Sequence, residues 1–294
     1  MQSRRKKPVA ANTEENFALY EMQHALTDGL FEPVHKVKDA EFHFRAVTRR
    51  TKIRWKNNQG EVVEEDITFR FLIPLTLSTQ TESILLGIVK LAGIDGIKTE
   101  LSEETSIMFE SVKEDARDRA RSKIICKQYQ LLKASGMPDG KRSYQQLEFH
   151  LTQMARVTIE WLNHTSGWRG VSHLIDYTTN DDGNLLICLN WRLAGAIFSD
   201  YYRAVINLDE RHALKKDASK TLHRWLSAHI WTGKSDYLLY DTLISHIWSQ
   251  KTTCTAQKMR LSRLKNEVLP EIASLDRWKV ETDTRGAKIT HLGK

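Results

Sequence analysis

Lys258, Arg260, Arg263 and Lys265 fall within eight residues of the stretch "TAQKMRLSRLKNEVLPEIASL", and Glu267 is the single acid before Pro270. Clustered guanidinium and ammonium groups donate to phosphate oxygens, and Arg, Lys and Asn side chains can also read guanine and adenine edges. The competing explanation is a solvated helix face. At about 100° per residue, Leu261, Leu264 and Val268 lie within about 60° of one another, with Lys258, Ser262, Arg263 and Asn266 on the opposite side. One face packs and the other is left outward. Arg263 and Asn266 are the best base-edge candidates, whereas Lys258, Arg260 and Lys265 suit phosphate. Lys251 and the hydroxyls of Thr252, Thr253 and Thr255 stand near the helix N-terminus, whose dipole favours anions. Arg285 and Lys288, on a hairpin that follows, are placed to meet the backbone or the adjacent minor groove.

The distribution of charge supports an anionic partner. Residues 201 to 294 hold 17 Lys+Arg against 10 Asp+Glu, an excess of seven that equals the net +7 of the whole 294-residue chain. The first 200 residues therefore balance, and because Arg4, Arg5, Lys6 and Lys7 are basic, residues 9 to 200 are net negative. A surface selected for solubility alone would mix signs. Localised positive charge favours a polyanion such as duplex DNA.

Motifs for other chemistry fail on spacing. "AHIWTGKS" ends in Gly233-Lys234-Ser235, but a phosphate loop needs glycine where Ala228 stands, and the preceding element reads as a helix. "GMPDGKRS" has three residues between its glycines instead of four. Eleven histidines include no His-x-His pair and no His-Glu-x-x-His, so no metal site is expected. Tyr177, Tyr201, Tyr202, Tyr237 and Tyr240 could each serve a strand-nicking reaction by type. None has an activating constellation nearby in sequence. The expectation is a protein without catalytic residues, metal or cofactor.

These residues need a scaffold. With 40% hydrophobic residues the chain can build real cores, no run of about 18 apolar residues suggests a membrane span, and no apolar segment follows the basic start. Cys126, Cys188 and Cys254 are odd in number and far apart, which suits reduced thiols in a cytoplasm. Residues 1 to 16 read as a basic disordered tail. "TRRTKIRWKNNQGEVVEEDITFRFLI" reads as a hairpin turning at Asn57 to Gly60. "LSTQTESILLGIVKLAG" reads as a core helix capped by Ser78 or Thr79 and ended by Gly93. "SKIICKQYQLLKASGMPDGKRSYQQLEFHLTQMARVTIEWLNH" reads as helix, turn, helix, strand, and "GWRGVSHLIDYTT", "NDDGN" and "LLICLNW" as an antiparallel pair with its turn.

The same order returns after Asp209. One helix is expected behind Asp217 with Leu222, Leu226 and Ile230 inward, and a second behind Asp241 with Leu243, Ile244 and Ile247 inward. The basic helix and a hairpin turning at Asp283 to Gly286 follow. Trp225, Trp231, Trp248 and Trp278 read as core. The fold class is α+β, two tandem winged-helix domains each with a helix-turn-helix and a β-hairpin wing. The first, residues 17 to 198, has an added hairpin; the second spans 205 to 294. In the first domain the matching helix offers Lys141, Arg142, Gln145 and Gln146, with DNA contact, protein contact and solvation all open.

Residues 140 to 292 resemble the RepC-type replication initiators of IncQ-like plasmids, carried by "LIDYTTNDDGNLLICLNWRLAGAI", "INLDERHALKKDASKTLHRWLSAHI", "YDTLISHIW" and "MRLSRLKNEVLPEIASLDRWKVE". The resemblance implies a protein that binds directly repeated sequences, iterons, in double-stranded origin DNA. It further implies opening of adjacent A·T-rich DNA and help in loading a plasmid-encoded replicative helicase, with a plasmid-encoded primase as a further partner. A transcriptional regulator would use the same basic helix, with the acidic first domain as a homodimerisation or effector module.

Overall fold

The computed structural model describes residues 16–33, 45–56, 62–74, 76–95, 123–180, 182–198, 203–248 and 253–293. The expected tail, apart from Asn16, and the turn at Asn57 to Gly60 lie outside the described residues. The chain opens with strand β1 (Phe17–Glu21) and helix α1 (Met22–Leu26), then a long hairpin of β2 (Arg45–Lys56) and β3 (Val62–Ile73). Helix α2 (Thr79–Asp95) follows. It is capped by Ser78, whose Oγ accepts from Thr81 N at 3.2 Å. The helix continues through Gly93 instead of ending there, so the apolar stripe outweighs the roughly 1 kcal/mol cost of an interior glycine.

Next come β4 (Lys123–Lys127), α3 (Gln128–Ala134) and α4 (Lys141–Ala155). The β4 segment was expected to be helical. Ile124 and Cys126 are buried while Ile125 and Lys127 are exposed, and this two-residue alternation of β-branched residues makes a half-buried strand. Strands β5 (Thr158–Asn163) and β6 (Arg169–His173) extend the hairpin into a four-stranded sheet of order β2-β3-β5-β6. Strands β7 (Ile175–Thr179) and β8 (Asn184–Leu189) join β4 in a separate sheet of order β4-β8-β7. The stretch expected as one strand is therefore divided at Leu174, which is fully buried and donates its N–H to Val157 O at 3.0 Å.

Helix α5 (Trp191–Phe198) leads to β9 (Arg203–Asn207), which pairs with β1, and to α6 (Leu208–Ala213). The C-terminal part runs α7 (Asp217–His229), β10 (Ser235–Leu239), α8 (Tyr240–Ile247), α9 (Cys254–Arg263), a π-helical turn (Leu264–Val268), α10 (Leu269–Ala273), β11 (Trp278–Thr282) and β12 (Gly286–His291). Its sheet order is β10-β12-β11. With β5 and β6 set aside in the first part and the π-helical turn and α10 in the second, the order helix, strand, two helices and two strands occurs twice, as α2-β4-α3-α4-β7-β8 and α7-β10-α8-α9-β11-β12, with the first strand bonded to the last each time. The fold is mixed α and β, and all its named strand pairs are antiparallel.

Two hydrophobic clusters fill the two parts. The larger centres on Phe69, Phe71, Ile84, Leu85 and Leu151; the smaller joins Leu222, Leu226 and Leu243 to Leu264, Ile272 and Ile289. Asp217 and Asp241 were expected to cap α7 and α8. Lys216 and Leu239 occupy those positions, with no side-chain cap bond. Asp217 instead accepts from Thr79 Oγ1 across the two parts. Trp225 and Trp278 are core and Trp248 is half-buried, but Trp231 is 63% exposed at the turn after α7.

The two parts are joined by charge inside the molecule. Glu82 on α2 meets Arg211 of α6 and Arg224 of α7, and all three side chains are buried. Near the surface His246 Nδ1 lies 2.9 Å from Asp28 Oδ2.

Candidate nucleic-acid interface

Helix α9 contains no fully buried residue. Its fixed points lie at its ends. Thr253 caps the N-terminus by accepting from Ala256 N at 3.4 Å, and Leu264, Val268, Leu269 and Ile272 anchor the continuation into the core. Leu261 is half-buried against the same cluster. The helix is held at its base and through Leu261, and most of its other residues are exposed.

The continuation is not the uniform α-helix that the periodicity implies. Pro270 has no N–H to give, and in a regular helix its ring would press on the carbonyl four residues earlier. The turn before it is widened, with Leu269 N–H bonding to Leu264 O in π geometry. Leu264 and Val268 still both point inward, at 0% and 1% exposure.

Lys258, Ser262, Arg263 and Asn266 are all exposed, and Asn266 Nδ2 donates to Ser262 Oγ at 3.1 Å, so these two share a face. Thr255 is exposed in the first turn. Arg260 and Lys265 are half-buried. The Arg260 guanidinium lies 5.9 Å from the Trp248 ring centroid, and Lys265 Nζ sits 4.1 Å above the Tyr240 ring. These two cations stack on aromatic rings at the junction of α8 and α9 as well as carrying charge. Lys251 and Thr252 lie outside the described residues.

The β11-β12 turn is built as rigidly as its length allows. Asp283 Oδ1 accepts the N–H groups of Arg285 at 2.7 Å and Gly286 at 2.9 Å, which holds the Asp283 carboxyl below the usual carboxylate range. Tyr240 Oη donates to Asp283 O at 2.7 Å, and Tyr240 N–H to Arg285 O at 3.1 Å, so the turn is tied to the start of α8. Arg285 and Lys288 are exposed there. Gly286 is required by contact: a Cβ would collide with Leu238 O of β10.

Lys141, Arg142 and Gln145 are exposed at the start of α4, while Gln146 is half-buried and accepts from Gln80 Nε2 at 3.5 Å. They stand on a helix packed against α2 and α3, separate from the α9 cluster. The sequence pattern passed over Tyr240 and Trp248 as ring partners for the basic helix, and over Met259, which is 62% exposed in its middle. Their signals were present only as aromatic residues in the neighbouring helix and an apolar residue off the packing stripe. Among the described residues no group of three or more His, Cys, Asp or Glu could hold a metal ion, and no helix is long and apolar enough to cross a membrane.

The family model for replication protein C, RepC, matches residues 16–290. The chain belongs to the RepC family. This is a family of replication initiators, and the match extends the resemblance carried by residues 140 to 292 through the N-terminal third. A crystal structure of domains 2 and 3 of RctB, in selenomethionine form, aligns with this RepC-family chain at a TM-score of 0.50 and 8% identity. The alignment covers 93% of this chain and 99% of that one, and it shows a shared fold. A second crystal structure of RctB domains 2-3 aligns at 0.47 with 8% identity, over 91% and 95% of the two chains. Comparison with curated proteins gives no match.

Proposed function

We propose that this chain initiates plasmid replication by binding directly repeated origin sequences in duplex DNA, with α9 lying in the major groove. On this reading residues 17 to 198 and 205 to 294 are two winged-helix units, each with its wing at the last hairpin. The observation that carries it is α9 itself. It has no fully buried residue, bears Lys258 and Arg263 on its outward side, and has no acid from Cys254 to Asn266. Membership of an initiator family and the doubled helix-strand order support the same reading.

In this arrangement Arg263 and Asn266 contact base edges, and Lys258 and the Thr252, Thr253 and Thr255 hydroxyls contact phosphate with Lys251. Arg260 and Lys265 add positive potential from their places on the aromatic rings. Arg285 and Lys288 meet the backbone beside the groove, and Lys141, Arg142, Gln145 and Gln146 give the first unit a second, weaker contact. Binding then promotes opening of adjacent A·T-rich DNA and recruitment of a plasmid-encoded helicase and primase. The N-terminal unit also serves as a homodimer interface, and the protein acts in the cytoplasm, by binding alone.

The test is an electrophoretic titration of the full chain against origin repeats and a scrambled duplex at one salt concentration. Preference for the repeats of about a thousandfold or more supports the proposal. Equal affinity for both overturns it.

A further inference from the structure

The outward face of α9 has a neutral centre with basic flanks. Measured at about 100° per residue from the Leu261-Leu264-Val268 anchor, Thr255, Met259, Ser262 and Asn266 fall within about 60° of one another on the far side. All four are exposed, and the Ser262-Asn266 hydrogen bond places two of them together. Lys258 and Lys265 lie on one flank of this stripe, Arg263 and Arg260 on the other. A helix selected only for solvation would carry its charges at the centre of the exposed face. Here the centre holds a methionine that is 62% exposed and contributes nothing to the core.

We infer that this stripe reads A·T base pairs, with Met259 packing on the 5-methyl group of thymine and Thr255 offering its own methyl beside it. The inference rests on the proposed binding of α9 in the major groove. The groove is about 12 Å wide, close to the diameter of a helix with its side chains, so its two phosphate walls stand where Lys258 and Lys265 lie on one side and Arg260 on the other, with Arg263 at the edge of the stripe and within reach of a base. The floor of the groove then faces the neutral stripe. Of the groups on that floor, only the thymine methyl is apolar, and a flexible, polarisable thioether packs well on it. Asn266, steadied by Ser262, retains an acceptor and a second N–H, the pair that matches adenine N6 and N7. The flanks, free of acid from Cys254 to Asn266, commit the face to a polyanion and not to a basic or apolar protein surface.

The test uses the full chain and the duplex it enriches from a randomised library, with each thymine then replaced singly by deoxyuridine. Wild-type protein should lose about fourfold in affinity at one or two positions, the value of one buried methyl group. Met259→Ala should lose a similar factor on the thymine duplex, show no further loss with deoxyuridine, and keep the wild-type salt slope. Met259→Leu should restore most of the methyl dependence. Because the side chain is exposed, unchanged thermal unfolding of both variants is expected. Indifference of the wild type to every methyl, or the same methyl dependence in Met259→Ala, overturns the inference while leaving DNA binding intact. Failure to enrich any duplex, with capture of an acidic protein instead, overturns this inference and the proposed function together.

Discussion

Arg211 Nη2 donates to Glu82 Oε2 at 2.6 Å, with both side chains at most 1% exposed, although 129 positions separate the two residues in the chain. Arg224 Nε stands 2.8 Å from the other Glu82 oxygen. Removing one member of such a group strands buried charge and typically costs about 3–5 kcal/mol, although replacing the whole group with apolar residues can be neutral. Glu82→Ala should therefore lower unfolding stability by that amount, measured by urea denaturation. Separation of the two parts into distinct unfolding transitions is also expected, because the ions lie between their cores.

His150 makes the first part sensitive to acid. Its imidazole is buried beside Thr81 Oγ1 at 2.9 Å and Gln153 Oε1 at 3.2 Å, and burial lowers its pKa from 6.5 to about 4. The folded state thus resists a proton that the unfolded chain accepts. Stability from this group is complete above about pH 6.5 and falls as pH drops toward 4, by roughly 3 kcal/mol in all. Urea unfolding at pH 7 and pH 4.5 should show the loss, and His150→Gln should flatten it.

The two lysines of the basic helix should separate. Lys258→Ala should weaken binding to repeat and scrambled duplex alike and reduce the salt slope by about 1. Lys265→Ala, whose ammonium sits above Tyr240, should cost about 0.5–1 kcal/mol of stability and change the slope less. Salt titrations beside thermal melts distinguish the two outcomes.

The β11-β12 hairpin depends on the close approach of β12 to β10. Gly286→Ala would drive a methyl into the Leu238 carbonyl and should destabilise the C-terminal part by about 1–3 kcal/mol. The same variant should weaken DNA binding by displacing Arg285, and melts and titrations on one sample test both.

Much of the C-terminal architecture was legible because its signals are local. Leu222, Leu226 and Ile230, then Leu243, Ile244 and Ile247, and finally Leu264 and Val268 mark inward faces by periodicity, and all are buried. Strand β10 escaped notice because it spans five residues of which only Leu238 is buried, so its identity depends on pairing with β12, about fifty residues later. The division of β6 from β7 is set by the two hairpins that claim them, since Val171 pairs back with Glu160 and Ile175 pairs forward with Leu189. On the basic helix, the outward placement of Lys258, Arg263 and Asn266 could be read from helical angles. The stacking of Arg260 and Lys265 could not, because it requires knowing how α8 packs beside α9. The buried position of Glu82 was hidden too, since a carboxylate early in a helix ordinarily signals a solvated first turn.

The central claim is that the outward face of α9 recognises duplex DNA, and Arg263→Ala in the full chain tests it most directly. Titrated against repeat and scrambled duplex at matched salt, this variant should lose about 1–3 kcal/mol of specific binding with an unchanged melting temperature. Wild-type affinity and wild-type preference for the repeats in Arg263→Ala would contradict it.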